Sequence, residues 1–283
     1  MKLCRFGAAG EERPGIVDGQ GRIRDLSAHV RDIGPELLSD ASLQALARLP
    51  IDDLPPVQTP IRLGTPLTGI PKFVAIGLNY RDHAEEAGMA IPEEPIIFMK
   101  ATSCICGPND PIIRPPHSSR LDWELELGVV IGRRAQYVPE AEALQYVAGY
   151  CIVNDVSERS FQFQSSQWDK GKSNDTFGPI GPWLVTRDEV PDPQNLDMRL
   201  EVNGERRQQG NSRTMIFSVA QIVSYCSRYM SLLPGDVICT GTPPGVGMGM
   251  KPEPQWLQVG DEVHLWIEGL GEQRQRVVAA PNK

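Results

Sequence analysis

The apolar positions come in short runs broken by glycine and proline, which is the texture of a chain built mostly from strands. FVAIGL, PIIFMK, LELGVVIG, YVAGYCIVND, WLVT, MRLEVNG, DVICTG and EVHLWIEG each carry enough branched and aromatic residues for one strand. Helical spacing is confined to the surroundings of RDHAEEAG, PEAEALQYVAG and VAQIVSYCSRYM. Strands and helices do not alternate regularly, so the pattern predicts an α+β, mainly β domain of the sandwich or roll type rather than a doubly wound sheet.

The first residues read as a smaller unit. KLCRFG and GIVDGQGRIRDLS predict strands, the second folded back at Asp18-Gly19-Gln20-Gly21. Leu37, Leu38, Leu43, Leu46 and Leu49 then fall loosely at helical spacing. The proline-dense stretch IDDLPPVQTPIRLGTPLTGIPK is too broken for a regular element and marks a boundary, giving a small domain over 1–70 and a larger one over 71–283.

Within the strand pattern, LDWELELGVV raises a question of charge. Residues two apart on a strand share a face, so Glu124 and Glu126 stand side by side, opposite Trp123, Leu125 and Leu127. The run continues apolar through Ile131, as in a strand covered on both faces. Adjacent carboxylates in such a place call for a positive charge between them. Asp155, where the apolar run YVAGYCIV ends, is the third acid. Three carboxylates from two strands suit Mg2+, with Mn2+ as the other candidate.

Other segments offer further chemistry. Asp82 followed by Glu85 reads as a capping box that starts a helix, on which His83 and Glu86 lie at i and i+3. A histidine held by a carboxylate is a general-base arrangement, set against an ordinary surface histidine with an acidic neighbour. In WDKGKSNDTFGPIGPW, Lys170 and Lys172 occupy a glycine-flanked loop, where a lysine serves an oxyanion, forms a Schiff base or is simply solvated. CTGTPPGVGMG lacks a phosphate-loop lysine; it reads either as a structural turn or as a loop whose Thr240, Thr242 and backbone amides hold a small anion.

Bulk properties remove several classes. The net charge is −8 and no stretch is dense in lysine or arginine, which argues against nucleic acid or an anionic membrane as partner. No run approaches the roughly 18 apolar residues of a membrane span, and MKLCRFGAAG turns polar too early for a signal peptide. The six cysteines are scattered without zinc-like pairing and read as reduced, partly buried thiols of a cytoplasmic protein.

Taken together, FVAIGLNYRDHAEE, PIIFMKATSCICGPND, DWELELGVVIG, NDVSER, KGKSNDTFGPIGPW, LLPGDVICTGTPPGVG and VGDEVHLWIEGLG resemble the fumarylacetoacetate hydrolase family, in the family's order, from about residue 72 to 270. The resemblance implies a mixed β-sandwich core, a homodimer, and a divalent metal on Glu124, Glu126 and Asp155. It implies a lid, over about residues 81 to 95, whose His83 and Glu86 complete a dyad over bound substrate, with Lys172 as the active-site lysine. It places Lys100 and Thr242 near the substrate's carboxylate and keto oxygens, and makes Gln162 and Tyr80 further substrate-binding candidates. The implied reaction is hydrolysis of a 2,4-diketo acid. The texture is closest to the branch acting on 2,4-diketo-3-deoxy-L-fuconate or L-rhamnonate, giving pyruvate and L-lactate. An acylpyruvate hydrolase, oxaloacetate decarboxylase or hydroxymuconate-type isomerase is the alternative within the family; a Schiff-base aldolase using Lys172 and a non-catalytic sugar-acid binding protein are the alternatives outside it.

Overall fold

The computed structural model describes residues 1–88 and 90–281; Met89, inside the expected lid, lies outside the described residues. Two main sheets carry the chain, as expected of a mostly-sheet α+β fold. The larger places Leu125–Ile131 between Val147–Asn154 and Val237–Cys239, both antiparallel to it. Beyond Val237–Cys239 come Phe73–Gly77, which runs parallel to it, and then the edge strand Ile96–Lys100. On the other side, Val147–Asn154 pairs with Gly178–Thr186, and that strand with Lys2–Phe6. The amino-terminal hairpin therefore extends the same sheet, with Arg13–Val17 and Ile23–Asp25 turning over at Asp18 as the sequence predicts. Asp18 holds that turn by accepting from the N–H groups of Gln20 and Arg22 and from the side chains of Arg22 and Arg24.

The second sheet runs Glu205–Asn211, Asp197–Val202, Glu262–Ile267, Gly271–Ala279 and Ile112–Arg114. Its strand EQRQRVVA alternates exposed charges with buried glutamines. The glutamines face inward because the covering sheet offers backbone groups to pair with. Gln273 donates to the carbonyls of Ile152 and Gly181, Gln275 accepts from Asn154, and Gln208 accepts from the N–H of Leu125 at 2.9 Å. These bonds fix the register of one sheet over the other.

Local expectations met tertiary competition in two places. PEAEALQYVAG forms a 3-10 run over Glu140–Tyr146 and then enters the strand Val147–Asn154, whose apolar residues are completely covered. The helix Arg81–Ala87 is present, but not through the expected capping box. Its N-cap is Tyr80, with no side-chain bond, and Asp82 sits inside the first turn with its carboxylate on the N–H of His83. Asn79, fully buried, sets the helix start: its side chain bonds the carbonyls of Phe217 and Thr240 and the N–H of Phe217. No described helix is long and apolar enough to cross a membrane. All six cysteines are free, and only Cys106 is not fully buried.

Candidate active site

The central hairpin brings the acids together. Leu125 pairs with Asn154, so Glu126 stands opposite Val153, and the Asp155 N–H donates to the Glu124 carbonyl at 2.8 Å. Glu124, Glu126 and Asp155 are all buried and line one cavity of about 80 Å3. His83, Phe98, Arg159, Gln162, Trp168, Lys172 and Thr242 line it as well.

Positive charge is supplied from the short helices Arg159–Gln162 and Asp169–Lys172. Lys172 Nζ lies 2.5 Å from Glu124 Oε2 and 2.7 Å from Asp155 Oδ2. Arg159 donates to Glu124 Oε1 at 2.6 Å, to Asp122 Oδ2 at 2.8 Å and to Gln162 Oε1 at 3.0 Å. Burial alone would raise the Glu124 carboxyl, but Arg159 and Lys172 hold it well below the ordinary range. Sequence reasoning missed Arg159. It stood in the motif NDVSER, directly after a buried acid, and a cation wanted by paired carboxylates was the available signal.

Glu126 has the opposite environment. Its Oε2 accepts from the Gly241 N–H at 2.6 Å, and no donor among the described residues reaches its other oxygen. Burial, then Asp155 and Glu124, push its carboxyl well above the ordinary range. Single donor atoms of Glu126, Asp155 and Cys239 lie within 4.8 Å of one another. Glu124 is not in that group, and its two oxygens are held by Arg159 and Lys172. The donor set fits a divalent cation: Glu126 has no cationic partner and one unused oxygen, with the Asp155 carboxylate and the Cys239 thiol close by.

Across the cavity, His83 Nδ1 faces Glu86 Oε2 at 3.3 Å. Glu86 is in turn held by the Gly245 N–H, at 3.1 and 3.0 Å to its two oxygens. Burial raises the Glu86 carboxyl less than His83 and Gly245 lower it, so it lies below its ordinary value. Gly245 has φ +101°, and a Cβ there would come 2.0 Å from the Arg207 carbonyl, so only glycine brings this amide to Glu86. Trp123 pins the same residue by donating from Nε1 to the Gly245 carbonyl at 3.0 Å.

The loop CTGTPPGVGMG does hold anions through its backbone amides, and the anions are the protein's own carboxylates. Gly241 binds Glu126 and Gly245 binds Glu86; Gly247 and Met248 bind the two oxygens of Asp122 at 2.6 and 3.0 Å. The Thr242 hydroxyl is also spent inside the fold, donating to the Leu125 carbonyl and accepting from Gln208.

Two expected contacts do not reach the cavity. Lys100 is fully buried behind Asp155, donating to its Oδ1 at 2.6 Å and to the Lys172 carbonyl. Asp155 outweighs the effect of burial and raises the Lys100 ammonium above its ordinary value. Tyr80 is fully buried, with its hydroxyl on Met198 Sδ at 3.2 Å. Lys100 therefore acts on the site through Asp155 and Lys172, and Tyr80 supports the start of the His83 helix. Lys170 points away to Gln164.

Comparisons with known proteins give the chain a family. The family described as "Fumarylacetoacetate (FAA) hydrolase C-terminal" matches residues 72–278. A relative in Burkholderia cenocepacia (strain HI2424), named no more specifically than as a hydrolase, is 61% identical over 277 residues and covers 98% of each chain. Among solved structures, a 2-hydroxyhepta-2,4-diene-1,7-dioate isomerase from Mycobacterium marinum matches with TM-score 0.76 and 33% identity, covering 100% of both chains. The maleylpyruvate hydrolase from Sphingobium sp. SYK-6, solved with manganese (II) and pyruvate, matches with TM-score 0.83 and 29% identity, covering 99% of this chain and 100% of that one. The chain belongs to the fumarylacetoacetate hydrolase family.

Proposed function

We propose that this protein hydrolyses the C3–C4 bond of a 2,4-diketo acid with the help of Mg2+ or Mn2+, releasing pyruvate. The substrate in this reading is a 2,4-diketo-3-deoxy-L-sugar acid of the fuconate or rhamnonate type, whose other product is L-lactate. The carrying observation is that a histidine–carboxylate pair, His83–Glu86, shares one cavity with Glu126, a buried carboxylate whose one bond is to a backbone amide, and with Asp155 beside it. The manganese and pyruvate in the Sphingobium neighbour support the same chemistry.

A divalent ion on Glu126 and Asp155, with Glu124 beside them, would polarise the 2-keto group and favour the enolate of the departing pyruvate. The remaining work falls to side chains. With Nδ1 on Glu86, His83 is left with Nε2 to take a proton from water, whose oxygen adds to C4. Glu86 stays ionised and stabilises the imidazolium that results. As C3–C4 breaks, its electron pair stays on C3, where a proton from Lys172 completes pyruvate; the acyl fragment leaves as the carboxylate. Arg159, bonded to Glu124 and Gln162, keeps the anionic wall in register. In this reading the protein works as a homodimer, which light scattering on the purified chain would test.

The isomerase and decarboxylase alternatives use the same cation site but need no base for water. His83 and its carboxylate on the cavity wall favour hydrolysis over both. The deciding experiment is pyruvate release from 2,4-diketo-3-deoxy-L-fuconate, its L-rhamnonate analogue, an acylpyruvate and oxaloacetate, each with Mg2+ and with EDTA. Metal-dependent pyruvate with L-lactate from a diketo sugar acid supports the reading. Pyruvate and CO2 from oxaloacetate alone would overturn hydrolysis, and binding without turnover of any diketo acid would leave a sugar-acid binding protein.

A further inference from the structure

The active-site cavity has a neighbour. Arg159, Phe163 and Met248 line both it and a second, larger cavity of about 360 Å3, completed by Arg120, Glu253, Pro254 and Trp256. The backbone around this chamber is firmly tied. Arg120 donates its N–H to Glu158 Oε1 at 3.0 Å and accepts at its carbonyl from the N–H of Arg159, also at 3.0 Å. On the facing segment, Leu257 donates to the Leu121 carbonyl at 2.8 Å and Gln255 to the Gly247 carbonyl at 2.9 Å. The side chains of Arg120 and Glu253 are exposed, and neither makes an ion pair or side-chain hydrogen bond among the described residues.

We propose that this second chamber receives the substrate's arm beyond its keto-acid head, and that Arg120 and Glu253 select an arm carrying hydroxyl groups. The argument is one of matching donors and acceptors. A guanidinium only donates, a carboxylate only accepts, and a hydroxyl does both. A hydroxylated arm accepts from Arg120 and donates to Glu253, while Trp256, Phe163 and Met248 cover its carbon skeleton. A hydrocarbon arm would take water from both charges and replace none of its bonds. An arm ending in a carboxylate would satisfy Arg120 but bring a like charge to Glu253. The chamber thus separates sugar-derived acids from the dicarboxylates of isomerase-named relatives. This inference rests on the proposed reaction only for where the head of the substrate sits.

The test is binding, so that it stands apart from turnover. The Mn2+-loaded protein is titrated calorimetrically with three six-carbon 2-oxo acids that share a head and differ in the arm: 2-keto-3-deoxygluconate, 2-oxohexanoate and 2-oxoadipate. The hydroxylated acid binds about tenfold or more tightly than the other two. Arg120→Met and Glu253→Met each remove most of that advantage, while pyruvate, which has no arm, binds both variants as it binds the unaltered protein. Equal affinities for the three acids, absence of binding by any of them, or a preference that survives both substitutions overturns the subsite. Failure of hydrolysis would show separately, as missing pyruvate release by a protein that still ranks the three acids.

Discussion

The Gly245 amide points its proton between the two oxygens of Glu86, 3.1 and 3.0 Å away, and so ties the carboxylate behind His83 to the far end of a loop that begins at Cys239. The dyad is thus held from outside its own helix. Gly245→Ala places a Cβ against the Arg207 carbonyl at φ +101° and should destabilise the fold by more than about 1 kcal/mol. Turnover falls with it as Glu86 loses its anchor. Thermal melting and pyruvate release on the same sample check both.

His83→Ala removes the proposed base without touching the acids. Turnover should fall roughly 10²–10⁴-fold. Mn2+ affinity, measured calorimetrically, stays near that of the unaltered protein. A large loss of Mn2+ binding would refute the separation of base from cation site.

Glu86→Gln keeps a hydrogen-bonding group beside His83 but removes its charge. The imidazolium then loses its counter-ion, and turnover should drop about 10²-fold with little change in KM. A KM effect at constant kcat would assign Glu86 to substrate binding instead.

Lys172 lies between Glu124 and Asp155, and its removal leaves one oxygen of each buried carboxylate without a cation, Arg159 and Lys100 holding the others. Lys172→Met should cost about 3 kcal/mol in the presence of EDTA. Part of that loss returns when Mg2+ is added, since a cation then supplies the missing charge. Urea unfolding with and without Mg2+ measures the difference.

For the proposed cation site, Glu126 sets an expected pH dependence. Its folded carboxyl is pushed well above 4.5 by burial, Asp155 and Glu124. The folded protein therefore keeps a proton that the unfolded chain releases above about pH 4.5, and this contribution to stability is present below that pH and lost as pH rises. Glu124, held low, contributes in the opposite sense, above 4.5 and lost only as pH falls through its depressed value. A divalent ion favours ionised Glu126, so the increase in Tm on adding Mn2+ should grow as pH rises above 4.5. An increase that shrinks as pH rises would contradict the placing of the cation at Glu126.

The chain's local pattern determined the strands, the hairpin at Asp18, and the side-by-side placing of Glu124 and Glu126 with a need for positive charge between them. These follow from a side-chain period of two and from turn chemistry, which act over a few residues. Only the tertiary structure decided which cations answer the carboxylates: Lys172 and Arg159 come from short helices that the hydrophobic pattern does not mark. It also decided that Lys100 lies behind Asp155, that Tyr80 turns to Met198, and that the glycine-rich loop binds the protein's own Glu86, Asp122 and Glu126. Each of these depends on groups far apart in the chain meeting in a dry interior, where every buried charge and amide must find a partner. Periodicity says which face a residue occupies; what waits on that face is set by the packing of the whole chain.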